Sequence, residues 1–157
     1  MSTGASDTDE HPPLTLYMVK RLELVIRALM DDRLRSRGLT TLQYTALSVL
    51  RRRSGLSSAQ LARRSFVRPQ TMHQMILSLE ERDLIERRRD PDNRRVLLIS
   101  LTSVGRSLLC ECEPLVREIE DWMLEGMPDD QRAAFRQGLE HGYAELAKIA
   151  HSIDATE

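Results

Sequence analysis

Five arginines crowd one short run of turn residues: Arg87, Arg88 and Arg89 precede Asp90-Pro91-Asp92-Asn93, and Arg94 and Arg95 follow it. Guanidinium groups so concentrated repel one another unless an anion is near, so the chemistry they suit is the binding of a polyanion. A second polar set comes earlier. Gln70, Thr71, Gln74 and Ser78 supply uncharged amides and hydroxyls where a solvated helix would more often carry Lys and Glu. Such groups read base edges and phosphates, and a glutamine pairs bidentately with adenine. Arg68, just ahead of them, suits guanine or phosphate. Ser57 and Ser58 head another helical run, where free backbone N–H groups favour an anion. Simple capping accounts for these two serines equally well. His73 falls on the flank of an apolar stripe, where packing or a phosphate contact fits better than catalysis.

Other chemistries find little material. The histidines His11, His73, His141 and His151 are scattered, with no HExxH, no glycine-rich phosphate loop and no nucleophile motif, so no enzyme, cofactor or metal site is expected. Cys110 and Cys112 are too few for a disulfide framework, and a reducing cytoplasm is expected. Two positions apart on a helix, they point about 200° away from each other and cannot pair without unfolding it. Cys112 reads as a packed core residue. Cys110 faces away, which keeps a redox-sensing regulator of the same fold as an alternative.

The elements that must position these groups follow from periodicity and stop signals. A long first helix starts at Leu14, with Met18, Leu22, Val25 and Leu29 on one stripe, and runs to Gly38. Thr40-x-x-Gln43 and Ser57-x-x-Gln60 have the form of capping boxes, opening helices over 42–53 and 58–64. Arg68-Pro69 opens a fourth helix, to about Asp83, whose Met72, Met75, Ile76 and Leu79 form one buried stripe. Extended runs over 84–89 and 94–101 then read as a β-hairpin. The next helix carries Leu108, Cys112, Leu115, Ile119 and Trp122 as a seam, with Pro114 expected to bend or break it. A last helix bears Phe135, Leu139, Gly142, Leu146, Ile149 and Ile153. Residues 1–13 are small, polar and acidic, so they are expected to be disordered or loosely attached.

The chain has 157 residues, 41% hydrophobic and 30% charged, which fits one soluble domain and leaves no membrane span. Its net charge of −1 conceals an asymmetry: residues 1–50 balance to 0, residues 51–106 to +7 and residues 107–157 to −8. The basic middle is the part that suits a polyanion.

Helices followed by an arginine-tipped hairpin form the pattern of a winged helix-turn-helix. The run from Leu84-Ile85-Glu86-Arg87 through Asp90-Pro91-Asp92-Asn93-Arg94-Arg95 to Leu101-Thr102, then Gly105, resembles the wing signature of the MarR family of bacterial transcription regulators. The resemblance spans residues 14–150 and implies a mainly α fold with a small β-hairpin wing, a winged helix-turn-helix plus a helical dimerisation module. Residues 39–102 would form the DNA-binding domain, and residues 14–38 and 103–153 the dimer helices. It further implies a homodimer on double-stranded DNA, usually a repressor released by a small aromatic or phenolic ligand. By position in the motif, Arg94 is the wing arginine for the minor groove and Asp92 the carboxylate that steadies it, while Arg89 and Arg95 contact phosphates. Tyr17, Arg21 and Tyr44 supply polar groups where a ligand pocket would form, although interface or core-edge packing suits each of them more readily. A winged helix that binds protein in place of DNA is the remaining alternative, and it has no need of an arginine-tipped wing.

Overall fold

Helix α1 spans Thr15–Leu34 and is followed by a tight turn, Arg35–Arg37, that Gly38 closes at φ 66°. The computed structural model describes residues 12–154, so residues 1–11 of the segment expected to be loose lie outside the described residues. After Gly38 come α2 (Thr41–Arg52), α3 (Ser58–Arg64) and α4 (Pro69–Glu81), then β1 (Ile85–Arg89) and β2 (Leu97–Leu101), and finally α5 (Ser103–Leu124) and α6 (Asp129–Asp154). The chain divides into two compact units, the first ending at Ile119 and the second starting at Glu120.

Local chemistry explains most of these boundaries. Both capping boxes form as their spacing requires: Thr40 Oγ1 accepts from Gln43 N–H at 3.2 Å, and the Gln43 amide oxygen accepts from Thr40 N–H at 3.1 Å. Ser57 and Gln60 repeat the exchange at 3.2 and 3.0 Å. Each box satisfies two backbone donors that the first helical turn leaves unpaired. Asp31 of α1 braces the start of α2, its carboxylate accepting from both the N–H and the hydroxyl of Thr41 at 2.7 Å.

The first unit's core lies under α2, α3, α4 and the hairpin. Leu47, Leu50, Leu61, Met72, Ile76, Leu79, Ile85, Ile99 and Leu109 are fully buried there. β1 and β2 pair antiparallel with Ile85 opposite Leu101 and Arg89 opposite Leu97. This register sends Ile85 and Ile99 inward. A further rung, not expected from the sequence, joins Leu56 to Ile99: Ile99 N–H donates to the Leu56 carbonyl at 2.7 Å, and Leu56 N–H returns a bond at 3.2 Å. The loop between α2 and α3 thereby becomes part of the wing.

Three sequence expectations need correction. The second strand begins at Leu97, not at Arg94, because Val96 N–H donates to the Asn93 carbonyl and Asp90 N–H to the Val96 carbonyl, both at 2.9 Å, folding the intervening residues into a turn. Of the bend or break expected at Pro114, the break does not occur: α5 is continuous from Ser103 to Leu124. Pro114 and Cys110 both lie on the exposed side of the helix, where a carbonyl left without a donor costs least, while buried Leu109, Cys112 and Ile119 anchor the helix on either side. Along the expected seam Cys112 and Ile119 are buried, but Trp122 is exposed, and Leu109 takes the fully buried place that the spacing assigned to Leu108. In the second unit, Leu139, Leu146 and Ile149 of α6 are likewise exposed. The side chain of Ile153 lies outside the described residues.

Candidate nucleic-acid interface

Helix α4 is built to present a polar face. Pro69 occupies its first turn, where a missing N–H costs nothing, and Arg68 precedes it as the N-cap residue without a side-chain cap bond. Met72, Met75, Ile76 and Leu79 are buried, as their spacing predicts. Gln70, Thr71, His73 and Gln74 are exposed, and Ser78 is half-buried. At about 100° per residue, Gln70, Gln74 and Leu77 fall within roughly 60° of one another. Leu77, 42% exposed, therefore shares the face of the two glutamines. Sequence reading had no role for Leu77; an apolar group on such a face suits the methyl of thymine.

The serines at the start of α3 divide their roles. Ser57 is the capping residue, its hydroxyl oxygen accepting from Gln60 N–H, while Ser58 is the first helical residue. The structure gathers Ser57, Ser58, His73, Arg87 and Arg95 around one cleft of about 360 Å³ between the start of α3, α4 and the wing.

The five arginines do not act alike. Arg87 forms a fork on Glu80, with Nε donating to Oε1 at 3.0 Å and the terminal nitrogen closing an ion pair on Oε2. Arg88 pairs with Glu86 at 3.0 Å, and Arg89 donates to the Arg94 carbonyl at 2.8 Å. Part of the repulsion read from the sequence is thus relieved by the protein's own carboxylates. Among the described residues, the guanidinium groups of Arg94 and Arg95 make neither an ion pair nor a hydrogen bond, and both residues are exposed. Nor does Asp92 pair with Arg94. The tip is shaped by Asp90, whose carboxylate accepts from Asp92 N–H at 2.9 Å, and by Asn93, whose side chain accepts from Arg95 N–H at 3.3 Å. Asp92 takes part through its backbone, because a short Asx turn uses the carboxylate of the first aspartate in the run.

The fork ties the end of the reading helix to the first wing strand. The bond from Arg87 holds the Glu80 carboxyl below its ordinary value of 4.5. A lowered folded value means that the stabilisation is complete above the ordinary value and is lost as pH falls through the lowered one. Glu80→Gln is expected to cost about 1 kcal/mol at neutral pH, a modest figure because the pair is partly exposed. Thermal melts of the two proteins should converge only as pH falls through the lowered value, where Glu80 itself becomes protonated.

Of the residues considered for a ligand pocket, two touch each other. Arg21 stacks over the Tyr17 ring at 5.7 Å, with Tyr17 exposed. Tyr44 instead packs partly buried against the core of the first unit. Cys110 is exposed and Cys112 buried, as expected, and burial pushes the Cys112 thiol above its ordinary value.

Comparison with known proteins follows the same lines. A model of the MarR family matches residues 37–96, which include α2, α3, α4, β1 and the wing tip. The HTH-type transcriptional repressor Rv2887 of Mycobacterium tuberculosis is 32% identical over 124 residues, covering 79% of this chain and 89% of the repressor. Two crystal structures of that MarR family protein superpose closely. The complex with DNA has a TM-score of 0.69 at 30% identity, covering 83% of this chain and 98% of the other. The complex with salicylic acid also has a TM-score of 0.69, at 32% identity, covering 85% of this chain and 98% of the other.

Proposed function

The chain belongs to the MarR family of transcriptional regulators, and from that premise we propose that it is a repressor of a pseudo-palindromic operator. It binds as a homodimer and is released by a small aromatic or phenolic ligand. The observation that carries this reading is the combination, in one compact unit, of an uncharged polar helix face with guanidinium groups on the neighbouring wing that are exposed and have no partner among the described residues. Gln70, Thr71 and Gln74 meet base edges in the major groove, with Arg68 at the helix start and Ser78 at its flank. Arg94 enters the adjacent minor groove, whose narrow stretches attract arginine. Arg89 and Arg95 hold phosphates, and Ser57, Ser58 and His73 border the same cleft.

The second copy is argued from apolar surface. Leu16, Tyr17, Met18, Leu24 and Val25 are exposed on α1, with Leu14 exposed just ahead of it, and Leu139, Tyr143, Leu146 and Ile149 are exposed on α6. Apolar exposure of this kind along a helix marks an association surface. Among the described residues no helix is long and apolar enough to cross a membrane. Two copies related by a two-fold axis place half-sites about 10 bp apart.

The solved complex of the M. tuberculosis relative with salicylic acid supports a small aromatic acid as the releasing ligand, with Tyr17, Arg21 and Tyr44 as candidate contacts. The test is selection of duplexes from a randomised pool, followed by challenge with a panel of aromatic acids and phenols. Two-fold related half-sites and release by at least one compound are expected. Selection of unrelated sequences would contradict the operator, and failure of the whole panel would contradict the ligand.

A further inference from the structure

Helices α3 and α4 end in the same way, and one of the two ends is unusual. At the end of α4, Asp83 N–H donates to the Glu80 carbonyl at 2.9 Å and Leu84 N–H to the Leu79 carbonyl at 3.0 Å, with Asp83 left-handed at φ 57°. At the end of α3, Phe66 N–H donates to the Arg63 carbonyl at 3.3 Å and Val67 N–H to the Ala62 carbonyl at 3.0 Å, with Phe66 at φ 56°. These are the paired bonds of a Schellman ending, whose left-handed position favours Gly and tolerates Asn or Asp. A phenylalanine there is strained, and strain of this kind collects where function requires the side chain.

Burial does not account for the ring. Phe66 is 74% exposed, while its neighbour Ser65 is buried and Val67 half-buried. The chain around it is basic: Arg63, Arg64 and Arg68 are all exposed, and Pro69 and Gln70 of the reading helix follow directly. An aromatic ring set among guanidinium groups, at the entrance to a helix that reads bases, matches the surface of a duplex, where apolar sugar edges and thymine methyls alternate with phosphates.

We propose that Phe66 is a DNA-contacting residue, its ring packing on a deoxyribose or thymine methyl at the groove edge while Arg63 and Arg64 hold the flanking phosphates. This rests on the reading of the protein as a duplex-binding regulator. It extends the interface from α4 and the wing to the turn between α3 and α4.

The test uses the full-length protein and a duplex that the wild type has itself selected from a randomised pool. Phe66→Gly removes the ring and relieves the left-handed strain at once. Its melting temperature is expected to stay level or rise while its affinity for the duplex falls about tenfold. Arg63→Ala combined with Arg64→Ala is expected to make the salt dependence of binding shallower by about 2 in the log–log slope per chain. Wild-type affinity in Phe66→Gly would overturn the proposal, as would a lower melting temperature, which would make the ring structural. A shift of Phe66→Gly towards monomer in sedimentation would also overturn it, by assigning the ring to the second copy. A wild type that selects no duplex would overturn the proposed function itself, whereas a binding wild type with an equally binding variant overturns only this contact.

Discussion

Replacing Gly105 by alanine is expected to lower stability by about 3 kcal/mol, near the top of the range for overpacking. A Cβ built on Gly105 would lie 2.1 Å from the backbone carbonyl oxygen of Leu84 and 3.1 Å from the Leu101 side chain. A carbonyl at the start of the wing has little freedom to retreat. Leu84 N–H is held by the Leu79 carbonyl, and the Leu84 carbonyl itself accepts from Thr102 N–H at 3.2 Å. Thr102 completes the junction: its hydroxyl donates to the Asp83 carbonyl at 2.6 Å and accepts from Gly105 N–H at 3.0 Å. The Leu-Thr and the following glycine are thus one device, which lets α5 approach the base of the wing closely enough to share these bonds. Differential scanning calorimetry should show a fall of about 6–12 °C, at 2–4 °C per kcal/mol for a chain of this size. An unchanged melting temperature would mean that the close approach has no energetic role.

The second large effect falls on binding and leaves the fold alone. Arg94→Ala combined with Arg95→Ala is expected to weaken duplex binding by about 100-fold, or about 3 kcal/mol. Both side chains are exposed and make no ion pair among the described residues, so stability should change by less than about 0.5 kcal/mol. Arg87→Ala should behave in the opposite way, because that guanidinium is engaged by Glu80. Fluorescence anisotropy with a labelled selected duplex, run beside a thermal melt, separates the two behaviours. Equal affinity losses from Arg87 and from the Arg94 and Arg95 pair would contradict the division of the wing arginines.

What was legible in the sequence was local. The capping boxes at Thr40 and Ser57, the proline at the start of α4 and the buried stripe from Met72 to Leu79 each depend on residues within one or two turns, and each appears where its spacing puts it. What was not legible depends on partners brought in from elsewhere. No spacing rule reveals that Leu56 pairs with Ile99, or that Gly105 sits against Leu84. The arginine cluster was visible as charge, but its division was not, since the partner of Arg87 lies across the turn between α4 and β1. Charge balance needed the same correction. Glu111, Glu113 and Glu118 pair with Arg37, Arg51 and Arg33, so part of the acidic excess in the last third is neutralised by basic residues of the preceding helices. The acidic residues of α5 therefore serve partly as internal struts.

The central claim is that exposed arginines on the wing and at the start of α4 meet the phosphates of a duplex. Its most direct test is a titration of the wild-type protein with its selected duplex across a range of salt concentrations. Each phosphate neutralised contributes about −0.9 to the slope of log affinity against log salt, so two copies using Arg68, Arg89 and Arg95 contribute about −5, to which Arg63 and Arg64 add. Binding that does not change with salt would contradict it.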